Sequence, residues 1–327
     1  MKAVLIEKYG GVEVLEMKEN IAVPSVKKEQ VLVEVYAVSI NPVDWKIREG
    51  CLQSMMPITF PATIGGDFAG KVKEVGEDVA DISAGDDVYG SAIVLNGGSG
   101  AFAEYAVVNT GNIAAKPTSV DFVKAAALPL TGSSAIQALE DHMKLQAGSA
   151  FAKASADKKK VLIHGGAGGI GTIAIQLAKT IGAYVATTVS TDDKEYVMAL
   201  GADEVIDYKQ QKFEEMLKDF DAVYDTVGGE TTDKSFKVLK KGGIIVSMLG
   251  QPNPELAKQY EVTAIGQGTQ TNTQHLRRLA ELIDSGKITV HVEKVFPFAQ
   301  VKEAFTYQET SHPRGKVVLT IKDINAS

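Results

Sequence analysis

The run HGGAGGIG, from His164 to Gly171, sets Gly166, Gly168 and Gly171 at the spacing G-x-G-x-x-G. That spacing is weak evidence by itself and gains weight from its flanks. Residues 161–164 are an apolar run that reads as a short strand. Residues 170–181 (IGTIAIQLAKTI) carry apolar side chains at 170, 173, 174, 177, 178 and 181, the period of a helix with one buried face. A glycine turn between a strand and a helix is built to meet a pyrophosphate. Gly166 permits the tight turn, Gly168 lets the backbone approach the phosphates, and Gly171 lets helix and strand pack closely. The N–H groups that open a helix have no intrahelical acceptor and act as roughly half a positive charge. The expected dinucleotide contacts therefore run over Gly166, Ala167, Gly168, Gly169, Ile170 and Gly171.

Which dinucleotide is taken is read at the end of the next strand, about 20 residues on, where an Asp or Glu would accept from the ribose hydroxyls of NAD. The chain has Ser190 there, in TVSTDDK. A hydroxyl can donate to a 2′-phosphate and Lys194 can neutralise it, so NADPH is the expected cofactor. Asp192 and Asp193 read as helix-capping and first-turn residues, and an exposed helix lysine is an equally good reading of Lys194 from spacing alone. A rival pattern, G-x-x-x-G-I-G through Gly165, Gly169 and Gly171 with a Y-x-x-x-K at Tyr208 and Lys212, fails on placement. Tyr208 follows Gly171 by only 37 residues and does not lie on a long downstream helix.

Outward from the loop, 184–189 reads as a strand, 192–200 as a helix, 204–206 as a strand and 211–217 as a helix. The pieces 222–224, 231–239, 243–248 and 260–265 continue the series. Strand alternating with helix is the sequence form of a doubly wound parallel sheet. The N-terminal part is different. Residues 30–40 (QVLVEVYAVSI) approximate the period-two pattern of a half-buried strand, and 69–75, 87–90 and 102–108 are further strand-like pieces between turn signals. The tail holds a helix at 276–283, a strand at 290–295, a helix at 301–308 and a strand at 316–321. It is expected to pack back on the N-terminal part. The expected division is 1–128, 129–270 and 271–327, an α/β fold with the doubly wound sheet inserted into a β-rich domain. Residues 150–160 read as a surface turn or short helix leading into the sheet.

A chain of 327 residues suits two domains. A net charge of −7 with interspersed signs argues against a nucleic-acid surface, and the run Lys158–Lys160 reads as a solvated loop. Cys51 is the sole cysteine, so no intramolecular disulfide or thiolate metal cluster can form, and a reducing compartment fits. The opening MKAVLIEKYGG is interrupted by Glu7 and Lys8, too early for a signal segment. No uncharged apolar run approaches the roughly 18 residues that span a bilayer. A cytoplasmic address without membrane contact is the expectation.

Several motifs taken together closely resemble the zinc-independent quinone oxidoreductases of the medium-chain dehydrogenase/reductase superfamily. They are SINPVDWKIREG (Ser39 to Gly50), IGGDFAGKVKEVG (Ile64 to Gly76), FAEYAVV, LPLTGSSAIQAL (Leu128 to Leu139), the glycine loop, LGADEVIDY (Leu200 to Tyr208) and RGKVVL (Arg314 to Leu319). The resemblance covers nearly the whole chain. It implies a GroES-like catalytic domain made from both chain ends around a Rossmann domain, with NADPH in the cleft. It further implies that Ser190, Lys194 and Tyr208 surround the 2′-phosphate, that Asn41 and Thr131 lie near the nicotinamide with the loop around Leu249 and Gly250, and, more weakly, that Lys316 touches the cofactor. A homo-oligomer, a dimer, is expected by the same analogy.

Zinc alcohol dehydrogenases place a Cys where this chain has Asn41-Pro42-Val43-Asp44, and a His-Glu pair where it has Gly66-Asp67. With one Cys and five scattered His, three N or S ligands cannot be assembled, and no metal is expected. Asp44 and Asp67 read as buried-turn residues. Trp45 reads as core or domain packing rather than a stacking platform, and Lys46 and Leu52 replace tyrosines of some bacterial relatives, so substrate identity does not transfer. The chemistry that needs no Lewis acid is hydride addition to an acceptor activated by conjugation, a small quinone or α,β-unsaturated carbonyl. Two alternatives stand beside it: an enoyl-thioester reductase, and an NADPH-binding structural or regulatory protein with little turnover.

Overall fold

The computed structural model describes residues 1–54, 57–145 and 158–322. Most of the stretch 150–160 lies outside them. The chain forms two compact units. One comprises Met1–Ser133, Thr271–Gly286 and Val290–Ser327; the other comprises Ser134–Gln270 and Lys287–Thr289.

The second unit holds six parallel strands: β1 (Lys160–His164), β2 (Tyr184–Val189), β3 (Glu204–Asp207), β4 (Phe220–Asp225), β5 (Leu239–Ser247) and β6 (Thr263–Gly266). Their order across the sheet is β3-β2-β1-β4-β5-β6, all pairs parallel. Strand β1 is central, and its Val161, Leu162 and Ile163 are fully buried, as expected where both faces of a parallel sheet are covered. The order reverses at β1, and in such sheets ligands bind beyond the carboxyl ends of the strands at that reversal. The glycine loop follows β1, Ser190 follows β2, Tyr208 follows β3, and Leu249 and Gly250 follow β5. Every cofactor residue expected in this unit therefore stands at one edge of one sheet.

Helix α1 (Gly169–Ile181) starts one residue before the apolar period does and stops at Gly182, whose φ of +92° is open to glycine. The helix buries Ile173, Ala174, Ile175 and Leu177, and a separate core gathers Leu162, Ala186, Ile206, Phe220, Val223 and Ile245 with Phe213 and Phe236. Each large buried side chain contributes about 1.5–3 kcal/mol. Two elements are shorter or divided relative to expectation. The helix expected at 211–217 is the single turn Phe213–Met216. Residues 231–239 are the end of a helix (Glu230–Ser235), a 3₁₀ turn (Phe236–Val238) and the first residue of β5.

The first unit is built on a seven-stranded sheet around Gln30–Ser39, which pairs antiparallel with Asp67–Val75, Tyr105–Asn109 and the C-terminal strand Lys316–Thr320. The tail does return to the N-terminal part, with Val318 opposite Ser39. The strand expected at 102–108 begins only at Tyr105, because Phe102 belongs to a bend whose backbone bonds Ile64 and whose ring packs edge-on against Phe305. A helix not foreseen, Pro42–Arg48, follows Asn41 with Pro at its first position, where a missing N–H costs nothing.

Candidate functional site

The glycine loop has the shape that pyrophosphate binding requires. Gly165 adopts φ +72°. A Cβ on Gly166 would lie 2.1 Å from Thr187 Oγ1, and one on Gly171 would lie 2.2 Å from Gly165 O, so both positions are filled by the fold itself. Gly168 is different. A Cβ there meets only Gly165 O, at 3.5 Å, an ordinary contact. The space in front of Gly168 is therefore open to a ligand. Gly168 also stands at the N-terminal cap of α1, with no side chain capping it, so the first-turn N–H groups are available to an anion.

Beneath the loop lies a polar network that the sequence reading missed. His164 is fully buried between Thr188 Oγ1 (3.0 Å from Nδ1) and Ser235 Oγ (2.9 Å from Nε2). Ser235 Oγ donates to Thr231 O at 2.6 Å, so it accepts from His164 Nε2–H, and Nδ1 accepts from Thr188. Burial pushes the His164 pKa down to about 4, which keeps the ring neutral. Asp225, also fully buried, accepts from the N–H groups of Val227 and Gly228 and from Thr232 Oγ1. These bonds fix the turns on either side of the strand-order reversal.

At the end of β2, Ser190 Oγ donates to Asp193 Oδ2 at 2.6 Å. Lys194 opens α2 (Lys194–Ala199), and its Nζ lies 3.3 Å from Oδ2 of Asp207, a fully buried carboxylate at the end of β3. Tyr208 is exposed next to it. The register Val189↔Asp207 brings Ser190, Lys194 and Tyr208 to one corner. At the other end of the edge, Leu249 and Gly250 line a cavity of about 640 Å³ together with Gly229, Thr232, Asp233 and Ser247.

The remaining expected residues belong to the first unit. Asn41, 1% exposed, is held at both ends of its carboxamide: Nδ2 donates to Asp67 Oδ2 (2.9 Å) and Oδ1 accepts from Lys316 Nζ (2.5 Å). Lys316 also donates to Ile40 O. Its role as a cofactor contact has to be set against this buried position among protein partners. Asp67 accepts further from Ser39 Oγ and from the Leu130 N–H, and Asp44 from the Asn41 N–H at 2.8 Å. Both aspartates are buried, as read from the sequence, but neither lies in a turn between elements: Asp44 stands in the first turn of the helix Pro42–Arg48 and Asp67 opens the strand Asp67–Val75. Thr131 Oγ1 is buried against the carbonyls of Ala127 and Leu128. Burial pushes Asp44 up to about 7 and Lys316 down to about 8.

Two family models match the chain: an alcohol dehydrogenase GroES-like domain over residues 27–118 and a zinc-binding dehydrogenase over residues 200–319. A chloroplastic NADPH-dependent alkenal/one oxidoreductase of Arabidopsis thaliana is 39% identical over 98% of the chain and 79% of its own length. The chain belongs to the quinone and enone oxidoreductases of the medium-chain dehydrogenase/reductase superfamily. The quinone oxidoreductase of Coxiella burnetii superposes with a TM-score of 0.86 at 33% identity, covering 98% of this chain and 99% of that one. That of Escherichia coli, solved with NADPH, gives 0.83 at 27% identity over 98% and 100%. The GroES-like β-rich domain with a Rossmann sheet is thus the fold of this family.

The zinc implied by the second model's description does not fit the residues present. Among the described residues no group of three or more His, Cys, Asp and Glu can hold a metal. At the polar cluster of the first unit the positive charge is a buried ammonium, on Lys316, bonded to the Asn41 carboxamide. One expectation is overturned. The Arabidopsis relative is named as chloroplastic, and a Homo sapiens NAD(P)H oxidoreductase, 34% identical over 98% of this chain and 89% of its own length, as mitochondrial. The cytoplasmic address rested on the lone cysteine and on apolar runs too short for a secretory signal or a bilayer span, features that suit an organelle interior equally well. No helix among the described residues is long and apolar enough to cross a membrane.

Proposed function

We propose that the chain reduces small conjugated carbonyl compounds and quinones with NADPH. The observation that carries the reading is the open face of Gly168 at an uncapped helix start, where an added Cβ would meet nothing closer than 3.5 Å. The names of the relatives, an NADPH-dependent alkenal/one oxidoreductase and quinone oxidoreductases, support the cofactor and the acceptor class. When bound, NADPH supplies a hydride to the electron-poor carbon of the acceptor, and solvent supplies the proton that completes the reduction.

In this reading the N–H groups of Ala167, Gly169, Ile170 and Gly171 hold the diphosphate in front of Gly168, whose own N–H donates to Gly165 O at 3.1 Å, and Ser190, Lys194 and Tyr208 receive the 2′-phosphate. Asn41 and Thr131 lie at the reacting end. The carboxamide of Asn41 keeps one Nδ2 hydrogen beyond the bond to Asp67, and that hydrogen is its means of steadying a developing oxyanion. Asn41→Ala is expected to lower kcat roughly 10²-fold with NADPH affinity unchanged. Unchanged turnover removes Asn41 from the reaction.

The reading is tested by NADPH oxidation with a panel of a quinone, an alkenal, an enone and a crotonyl thioester. Turnover of the free carbonyls supports it, turnover of the thioester alone makes the chain an enoyl-thioester reductase, and tight binding without oxidation makes it a binding protein. A homodimer belongs to the same proposal. Strand β6 pairs with β5 alone among the described strands and offers an edge to a second copy. A sedimentation mass of 34.8 kDa would count against it.

A further inference from the structure

The corner assigned to the 2′-phosphate already contains carboxylates. Lys194 Nζ is 3.3 Å from Asp207 Oδ2. The same carboxylate accepts from Thr191 Oγ1 at 2.7 Å and from the Lys209 N–H at 3.0 Å. The Thr191 hydroxyl holds it below the usual carboxylate range, and it is ionised at neutral pH. Ser190 Oγ, the other donor expected for the phosphate, is bonded to Asp193. A phosphoryl group that reaches Lys194 must therefore share its ammonium with an anion one side chain away.

Resting on the NADPH reading above, we infer that Asp207 is a specificity-determining residue that narrows the preference for NADPH over NADH. Selectivity is a difference of two affinities, and a like charge beside the distinguishing group lowers one of them only. The 2′-phosphate carries up to two negative charges and meets repulsion from Asp207, while NADH has no group there to repel. Asparagine at 207 keeps Oδ1 as the acceptor for the Lys209 N–H and turns its amide nitrogen toward Thr191 Oγ1, which can accept in place of donating. It has nearly the same volume, and leaves Lys194 free to turn to the phosphate.

The test is calorimetric binding of NADPH and of NADH to the full chain and to Asp207→Asn, without substrate. NADPH affinity is expected to rise about three- to tenfold while NADH affinity stays within about twofold, because only the phosphorylated ligand feels the charge. The gain shrinks between about 0.01 M and about 1 M salt, as the Debye length falls from about 30 Å to about 3 Å. Selective weakening of NADPH would make Asp207 a holder of Lys194 and overturn the inference, as would no change, or equal weakening of both ligands. If Asp207→Asn gives no cooperative melt, Asp207→Ser replaces it as a second uncharged variant. Failure of both to fold assigns Asp207 to the fold and also overturns the inference. Wild-type protein that binds neither dinucleotide sinks the NADPH reading itself, a different result from wild-type binding with no selective change in the variant.

Discussion

Gly168→Ala is expected to leave the free protein folded and to lose NADPH affinity on the order of 10²-fold, the scale of a displacement of about 1 Å at a fitted site. The backbone at Gly168 has φ −73°, which alanine adopts freely, and the added methyl meets its nearest atom at 3.5 Å. Stability should change by no more than about 1 kcal/mol, the scale of a helix-cap substitution. The methyl stands in the space left for the diphosphate, so the loss appears only with ligand. Gly171→Ala separates the two roles. Its methyl would lie 2.2 Å from Gly165 O and 2.7 Å from Gly166 Cα, both backbone atoms, so the loop must shift before any ligand arrives. That variant should lose about 1–3 kcal/mol of stability as well as affinity. Thermal melts paired with calorimetric titration read both quantities. If Gly168→Ala binds NADPH as the wild type does, the diphosphate does not pass in front of Gly168 and the cofactor site must be sought elsewhere.

The strand, glycine turn and helix around residue 168 were legible because their signals are local. Period, glycine spacing and the apolar run all fall within about one supersecondary unit. The same holds for the strand-helix alternation that became the six-stranded parallel sheet. What the sequence hid is what pairing between distant segments creates. Lys316 and Asn41 are 275 residues apart and meet because the last strand pairs with Gln30–Ser39 in a register that sets Val318 opposite Ser39. No pattern within either segment states that register. Asp207 was passed over for a related reason: the family resemblance pointed to Ser190, Lys194 and Tyr208, and only the pairing of β2 with β3 puts the carboxylate against the ammonium. The helix Pro42–Arg48 was missed because its seven residues are too few for a period to show. His164 could have been suspected. A polar residue ending an apolar central strand needs partners, and Thr188 and Ser235 supply them.

The buried cluster of the first unit sets up opposite expectations for two of its members. Lys316→Met removes the ammonium that donates to the Asn41 carboxamide and to Ile40 O, and with it a positive charge that lowers the pKa of the buried Asp67. Leaving buried acceptors without their donor costs about 1–3 kcal/mol. Asp44→Asn should do the reverse at neutral and higher pH. Burial raises Asp44 from 3.8 to about 7, so between those values the folded chain holds a proton that the unfolded chain has released. Stability from this group is complete below the unfolded value and is lost as pH rises through the folded one. Its Oδ1 has no hydrogen-bond partner, and an uncharged carboxamide tolerates that position better than a carboxylate does. The variant should therefore gain on the wild type as pH rises from about 4 to about 7, by up to about 4 kcal/mol. The comparison has to be between the two proteins rather than along one curve. His164, with its pKa lowered to about 4, adds stability with rising pH over much of the same window and would mask the trend in the wild type alone. Urea unfolding of both chains at several pH values isolates Asp44. A difference that stays flat across that window would mean that Asp44 is ionised in the fold.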